Sequence, residues 1–348
     1  MRFIKSDINL NFTGKSKLAF YISATMILIS FFSLILHKGP KYGIDFAGGT
    51  LIQVKLFAPA SINIIKSGLD TIDLGKSSVQ QFGDKEENEY LIKTDISVMS
   101  SQGLSGKVKN ALEAATGNEV EIRRIEMVGP QVGKDLREKA LFAMFYSLLF
   151  ITIYISGRFE LKWILSGVMA AALMSSVYFL SLINVSIPIL ITAALILAII
   201  LFWFLNLKYA MGAIVAIIHD VIITVGIFSI FDKEFTLPII AALLTIIGYS
   251  LNDTIIIFDR IRENLKKYRK KPLDFVINRS LNETLSRTIL TSLTTLTVVI
   301  ALLVIGGGIV HDFAFAMIIG ILIGTYSSIY VASPILLIWR RRGKKIQP

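Results

Sequence analysis

Residues 248–264 read GYSLNDTIIIFDRIREN, and the chain from Leu237 up to Asn252 carries no charged side chain. An apolar run of membrane-spanning length therefore ends by admitting Asn252 and Asp253. A charge at such a depth costs about 2.5–3.5 kcal/mol even on lenient insertion scales, so it has to face protein or water. On a helix Thr245, Tyr249, Asn252 and Asp253 fall at i, i+4, i+7 and i+8, which makes one polar stripe on an otherwise apolar cylinder.

The remainder of the chain explains why a helix of this kind belongs here. Of 348 residues 54% are hydrophobic, and apolar runs of near-spanning length recur at 18–36, 140–156, 164–183, 187–206, 210–230, 237–258, 288–305 and 313–338. Eight runs predict a polytopic membrane protein. There is no cysteine, which excludes disulfides and thiolate metal sites, and His37, His219 and His311 are too scattered to suggest zinc. The formal charge of +11 does not mark a nucleic-acid binder. Lys38 to Asp135 holds 12 Lys and Arg against 13 Asp and Glu, whereas Asp259 to Arg287 holds 9 against 4, and the tail RRRGKK is unopposed. Cations gathered beside apolar runs are what positive-inside orientation produces.

The first run follows Arg2, Lys5, Lys15 and Lys17, as a signal peptide would. No small-x-small cleavage pattern follows it in LILHKGPKYG, so the expectation is an uncleaved anchor with residues 1–17 in the cytoplasm. Residues 37–138 are of soluble composition. GTLIQVKLF alternates, Ser61 to Ile72 has helical spacing, SSVQQFG and NEYLIKT flank the turn sequence DKEEN, Leu104 to Ala115 is helix-prone and EVEIRRIEMV alternates again. The order βαββαβ predicts a small ferredoxin-like α+β sandwich on the periplasmic face. Residues 139–338 form the remaining bundle, with a basic cytoplasmic segment at 259–287 holding a short amphipathic helix at the lipid surface, and 339–348 form a basic cytoplasmic tail. Leu161 (LKWILSGV) and Leu207 (LKYAMGAI) open similar stretches, either a duplicated hairpin or a chance likeness between apolar segments.

Two spans carry ionisable pairs. Asn252-Asp253 lies in one; in the next span Arg287, Thr291, Thr294 and Thr295 repeat the stripe spacing, which places Arg287 as a counter-ion for Asp253. Apolar burial favours the protonated form of Asp253 and Arg287 favours its carboxylate, a balance suited to a proton carrier; a purely structural ion pair is the alternative. His219-Asp220 in 210–230 either relays protons or hydrogen-bonds a neighbouring helix. Serines, threonines and tyrosines elsewhere in the spans are read as satisfying themselves on their own backbone or a neighbour's, with no special role, and Gly320, Gly324 and Ser328 as a small-residue packing face. GKS at Gly14 and Gly75 lacks the earlier glycine of a phosphate loop, since Asn9 and Asp70 occupy that position. No cofactor or nucleotide site is expected, and no catalytic one.

YGIDFAGGT (42–50), IIHDVIITVGIFS (217–229), AALLTIIGYSLNDTIIIFDRIREN (241–264) and LNETLSRTILTSLTTL (281–296) together resemble the SecF family of protein-export membrane subunits, within the resistance–nodulation–division superfamily. The resemblance implies a heterodimer with SecD in the bacterial cytoplasmic membrane, association with the SecYEG channel, and use of the proton-motive force to draw preprotein outward. It implies proton-path roles for Asp253 and Arg287, facing an acidic residue from SecD. Asn252, Asp220, His219 and Asp259 are supporting polar positions, and Asp45, Gly48 and Gly49 belong to the box after the first span. The usual pattern has six spans. Here Arg158-Phe159-Glu160 is separated from GAIVAIIHD (212–220) by an extra hairpin at 164–206, which preserves the parity of later spans.

Two other classes fit parts of the sequence. An intramembrane aspartyl protease would use aspartates like Asp220 and Asp253, although their HD and ND settings differ from the YD and GxGD boxes of such enzymes. A small-molecule or lipid exporter of the same superfamily would be about twice as long or pair with itself.

Overall fold

A computed structural model of the chain describes residues 9–82, 87–94, 101–183 and 185–341. The N-terminal eight residues, most of the DKEEN turn and nearly all of the basic tail lie outside the described residues. Among those described, eight helices are long and apolar enough to cross a membrane, the number read from sequence, and a small antiparallel sheet stands between the first and second.

The spanning helices are α1 (Ser16–Leu36), α5 (Pro130–Glu160), α6 (Trp163–Ser181), α7 (Ile187–Phe204), α8 (Lys208–Ile230), α9 (Leu237–Lys267), α10 (Leu273–Ile305) and α11 (Gly308–Ser327). The last continues through a π-helical turn, Ser328–Ala332, into α12 (Ser333–Arg341). Helix α9 has 31 residues, about 46 Å at 1.5 Å per residue, against a hydrocarbon core of about 30 Å. Its charged end from Asp259 onward therefore projects beyond the apolar layer. Pro238 starts it without loss, because the first turn has no intrahelical acceptor for the missing N–H.

The outer unit comprises β1 (Gly49–Leu56), α3 (Ile62–Asp70), β2 (Ser78–Phe82), β3 (Glu89–Thr94), α4 (Ser101–Thr116) and β4 (Val120–Val128). The sheet order is β2-β3-β1-β4, each pair antiparallel, which is the arrangement two interleaved βαβ halves produce. Alternation decides the faces. Ile52, Val54 and Leu56 of β1 and Tyr90 and Ile92 of β3 point to one side, where Ile65 and Leu69 of α3 and Leu104, Val108 and Leu112 of α4 cover them.

Lipid is as apolar as leucine, so helices in the bundle are held by close approach of small residues and by polar bonds. A Cβ at Gly226 of α8 would collide with Ser30 of α1, and one at Gly320 of α11 with Ile246 of α9. Ser33 and Ser229 bond across the first of these seams at 2.8 Å. The extra hairpin, α6 and α7, packs mainly on α5 and α8, and Trp203 of α7 lies against Trp339 of α12. Its two ends meet: Glu160 Oε1 accepts the Tyr209 N–H at 3.0 Å and Lys162 Nζ donates to the Leu205 carbonyl at 2.6 Å.

Candidate functional site

The box after the first span joins the outer unit to the bundle. A four-residue helix, α2 (Ile44–Ala47), which the sequence reading did not anticipate, places Asp45 so that its Oδ2 accepts the Leu237 N–H at 2.8 Å, capping α9. Gly43 N–H donates to the Phe235 carbonyl at 2.7 Å and Phe235 N–H to that of Lys41 at 2.7 Å. Gly48 and Gly49 follow with φ of +81° and +119°, a region that L side chains rarely adopt, and a Cβ on Gly48 would press on the backbone of Pro130. Lys93 of β3 and Glu234 form an ion pair from the sheet to the α8–α9 connection, flanked by Lys41 to Asp232 at 2.6 Å and Lys233 to Asp312 at 2.7 Å. Burial, with Lys41 beside it, holds the Lys93 ammonium below its usual range against the opposing pull of Asp312 and Asp45.

Asp253 sits near the middle of α9, 1% exposed, and its Oδ2 has no hydrogen-bond partner. Arg287, expected as its counter-ion, is exposed on α10, and among the described residues no ion pair within 4.0 Å joins the two. The reason is geometric. Neighbouring helices stand 8–10 Å apart, and a guanidinium pointing outward does not close that distance by itself. Two further buried hydroxyls, Tyr249 on α9 and Thr288 on α10, are also without partners. Thr245, Gly248 and Asn252 of α9 and Thr294 and Thr297 of α10 lie exposed, so the polar stripe opens outward from the bundle. Asp259, lower on α9, pairs with Arg158 at 2.6 Å and is separate from this group.

His219 and Asp220 are fully engaged elsewhere. Asp220 Oδ1 lies 2.9 Å from His219 Nδ1, and its Oδ2 accepts from Ser250 Oγ of α9 at 2.6 Å and Ser327 Oγ of α11 at 2.8 Å. His219 Nε2 is 3.1 Å from Ser23 Oγ of α1, which is 3.1 Å from the Tyr326 hydroxyl. Thr254 and Ser328 bond at 3.0 Å, one turn along the same seam. Serines read as needing no special role thus bond side chains of other helices and knit α1, α8, α9 and α11 together. Their partners lie 30 to 303 positions away, a distance at which no local pattern carries a signal. Among the described residues no hydrogen bond joins Asp220 to Asp253.

These features define a polytopic membrane protein with an outer α+β sandwich, in which buried carboxyls sit at helix seams and a polar face lies open at membrane depth. The family model for the C-terminal region of SecD/SecF protein-export membrane proteins matches residues 107–187 and 175–342, and the SecD/SecF GG motif matches 33–56. The chain is 40% identical to the protein translocase subunit SecF of Calditerrivibrio nitroreducens, over 99% of both chains. It is 41% identical to that of Vibrio alginolyticus, over 96% of this chain and 91% of the relative. The crystal structure of SecDF, a translocon-associated membrane protein from Thermus thermophilus, superposes with a TM-score of 0.70 at 32% identity over 98% of this chain. The match occupies 40% of that longer chain. The chain belongs to the SecF family.

Proposed function

We propose that this chain is the SecF half of a SecDF assembly that uses the proton-motive force to assist SecYEG-dependent export of preproteins. The observation that carries the reading is Asp253, buried with an unpartnered carboxyl oxygen and bordering a polar stripe that is exposed on the isolated chain. Lipid cannot satisfy the exposed Asn252 amide or the Arg287 guanidinium, so that face needs a protein partner with complementary polar groups at the same depth. SecD is that partner here, supported by the SecDF likeness. A charge crossing the membrane gains about 2.3 kcal/mol per 100 mV, enough to bias a carboxyl that protonates on one side and releases on the other.

Orientation follows from the cations. Arg158, Lys162, Lys208 and the basic stretch from Arg260 on α9 to Lys271 in the α9–α10 turn lie at the ends of helices away from the sheet, and residues Leu10 and Phe12 are bonded there to Asn282 and Asn278 of α10. That end is cytoplasmic by the positive-inside rule, which puts the sheet outside the inner membrane. Coupling runs through Asp45, since the outer unit caps the same helix that carries Asp253. Asp253→Asn tests the proposal in the reconstituted complex: SecD still co-purifies, and proton-gradient stimulation of export disappears. Stimulation at the unsubstituted level rules it out.

A further inference from the structure

Asp253 lies between two unlike halves of α9. On one side Tyr249, Asn252 and Thr245 lead to the open polar stripe; on the other, Ser250 and Thr254, at i−3 and i+1, are pinned to neighbouring helices. The Ser250 hydroxyl donates to Asp220 at 2.6 Å, the Ser250 carbonyl accepts from Ser328 Oγ at 3.3 Å, and a Cβ on Gly324 would touch Ser250. Asp220 is itself 1% exposed and holds three donors drawn from α8, α9 and α11. A π-helical turn at Ser328–Ala332 brings Ser327 and Ser328 side by side onto this seam, and Ser333 Oγ supports it by donating to the Ser328 carbonyl at 3.0 Å.

We infer that Asp220 is a positioning residue: through Ser250 it fixes the rotation of α9 about its own axis and so holds the Asp253 carboxyl at the border between the sealed seam and the open stripe. The inference rests on the reading of Asp253 as the proton carrier. Bonds to a buried carboxylate are stronger than neutral ones; the Ser250 bond ties α9 to Asp220, which His219 and Ser327 hold in place, and so opposes a twist of α9 that would turn Asp253 into the stripe or into the seam. On the other side the Tyr249 and Thr288 hydroxyls have no partner, so at the depth of Asp253 they add no bond against the twist. Asp220 need not exchange a proton for this role.

The experiment is a double-mutant cycle in the SecD-containing complex, reading the proton-dependent part of export and the labelling of Asp253 by a hydrophobic carbodiimide. Asp220→Asn and Ser250→Ala each reduce the proton-dependent part by about tenfold, the scale of one lost charge-assisted bond, and the double variant falls no further. Export without an imposed gradient is unchanged, and carbodiimide labelling of Asp253 shifts severalfold in each. Losses that multiply, or labelling that stays at the unsubstituted level, overturn the inference. If Asp220→Asn does not accumulate, Ser250→Ala paired with Ser327→Ala replaces it in the cycle with the same two expectations. Asp253→Asn separates the two ideas: stimulation surviving in that variant removes the carrier reading, whereas stimulation lost there and kept in both seam variants removes the positioning role alone.

Discussion

Glu160, the last residue of α5, caps the first turn of α8 by accepting the Tyr209 N–H at 3.0 Å from 49 positions away. Lys162 closes the same junction on the Leu205 carbonyl, and Trp163 lies against Gly157. The two added helices thus leave and rejoin the bundle at one point. Because they pack mainly on α5 and α8, replacing 163–206 with a short Gly/Ser linker is expected to leave SecD co-purification and proton-stimulated export within about twofold of the full chain. Loss of SecD on affinity isolation of the shortened chain would show the hairpin to be part of the partner surface.

Arg287 makes no two-pronged contact with Asp253, so for a counter-ion role its charge is expected to matter more than its shape. Arg287→Lys is expected to retain most proton-dependent export, and Arg287→Gln to lose about tenfold or more. Equal losses in the two variants, measured in proteoliposomes with an imposed gradient, would show instead that the planar guanidinium is required.

Asp45 supplies the acceptor for the first turn of α9 from the outer unit. Removing it in Asp45→Ala should cost about 0.5–2 kcal/mol, as lost helix caps do, while Asp45→Asn keeps the acceptor and most of the stability. Hydrogen exchange at 237–240 reports the change directly. Faster exchange in Asp45→Ala should be accompanied by weaker coupling of export to the gradient.

The Lys93 contact with Glu234 carries a pH dependence of defined sign. A lysine whose folded pKa is lowered opposes the folded contact while charged, so docking of the sheet strengthens as pH rises through that lowered value and levels off above the unfolded value of about 10.4. Lys93→Met combined with Glu234→Gln should flatten this rise and leave the neutral-pH contact no weaker, because both half-buried charges go together. Thermal unfolding of the solubilised protein from about pH 8 to about pH 11 measures it.

The order of elements was legible along the chain. Apolar runs of spanning length, strand alternation in GTLIQVKLF and EVEIRRIEMV, and the stripe of Thr245, Tyr249, Asn252 and Asp253 are local periodicities, and a helix or strand expresses its own period wherever it stands. Tertiary structure alone decided what each polar face meets. Ser23, Ser250 and Ser327 look interchangeable with any serine in an apolar run, yet their depth and rotation bring them to His219 and Asp220, while the same two quantities turn Arg287 outward and keep it off Asp253. In a bundle surrounded by lipid those quantities are decided by where glycines such as Gly226, Gly320 and Gly324 let helices approach, a fit between distant surfaces that periodicity within one segment does not record.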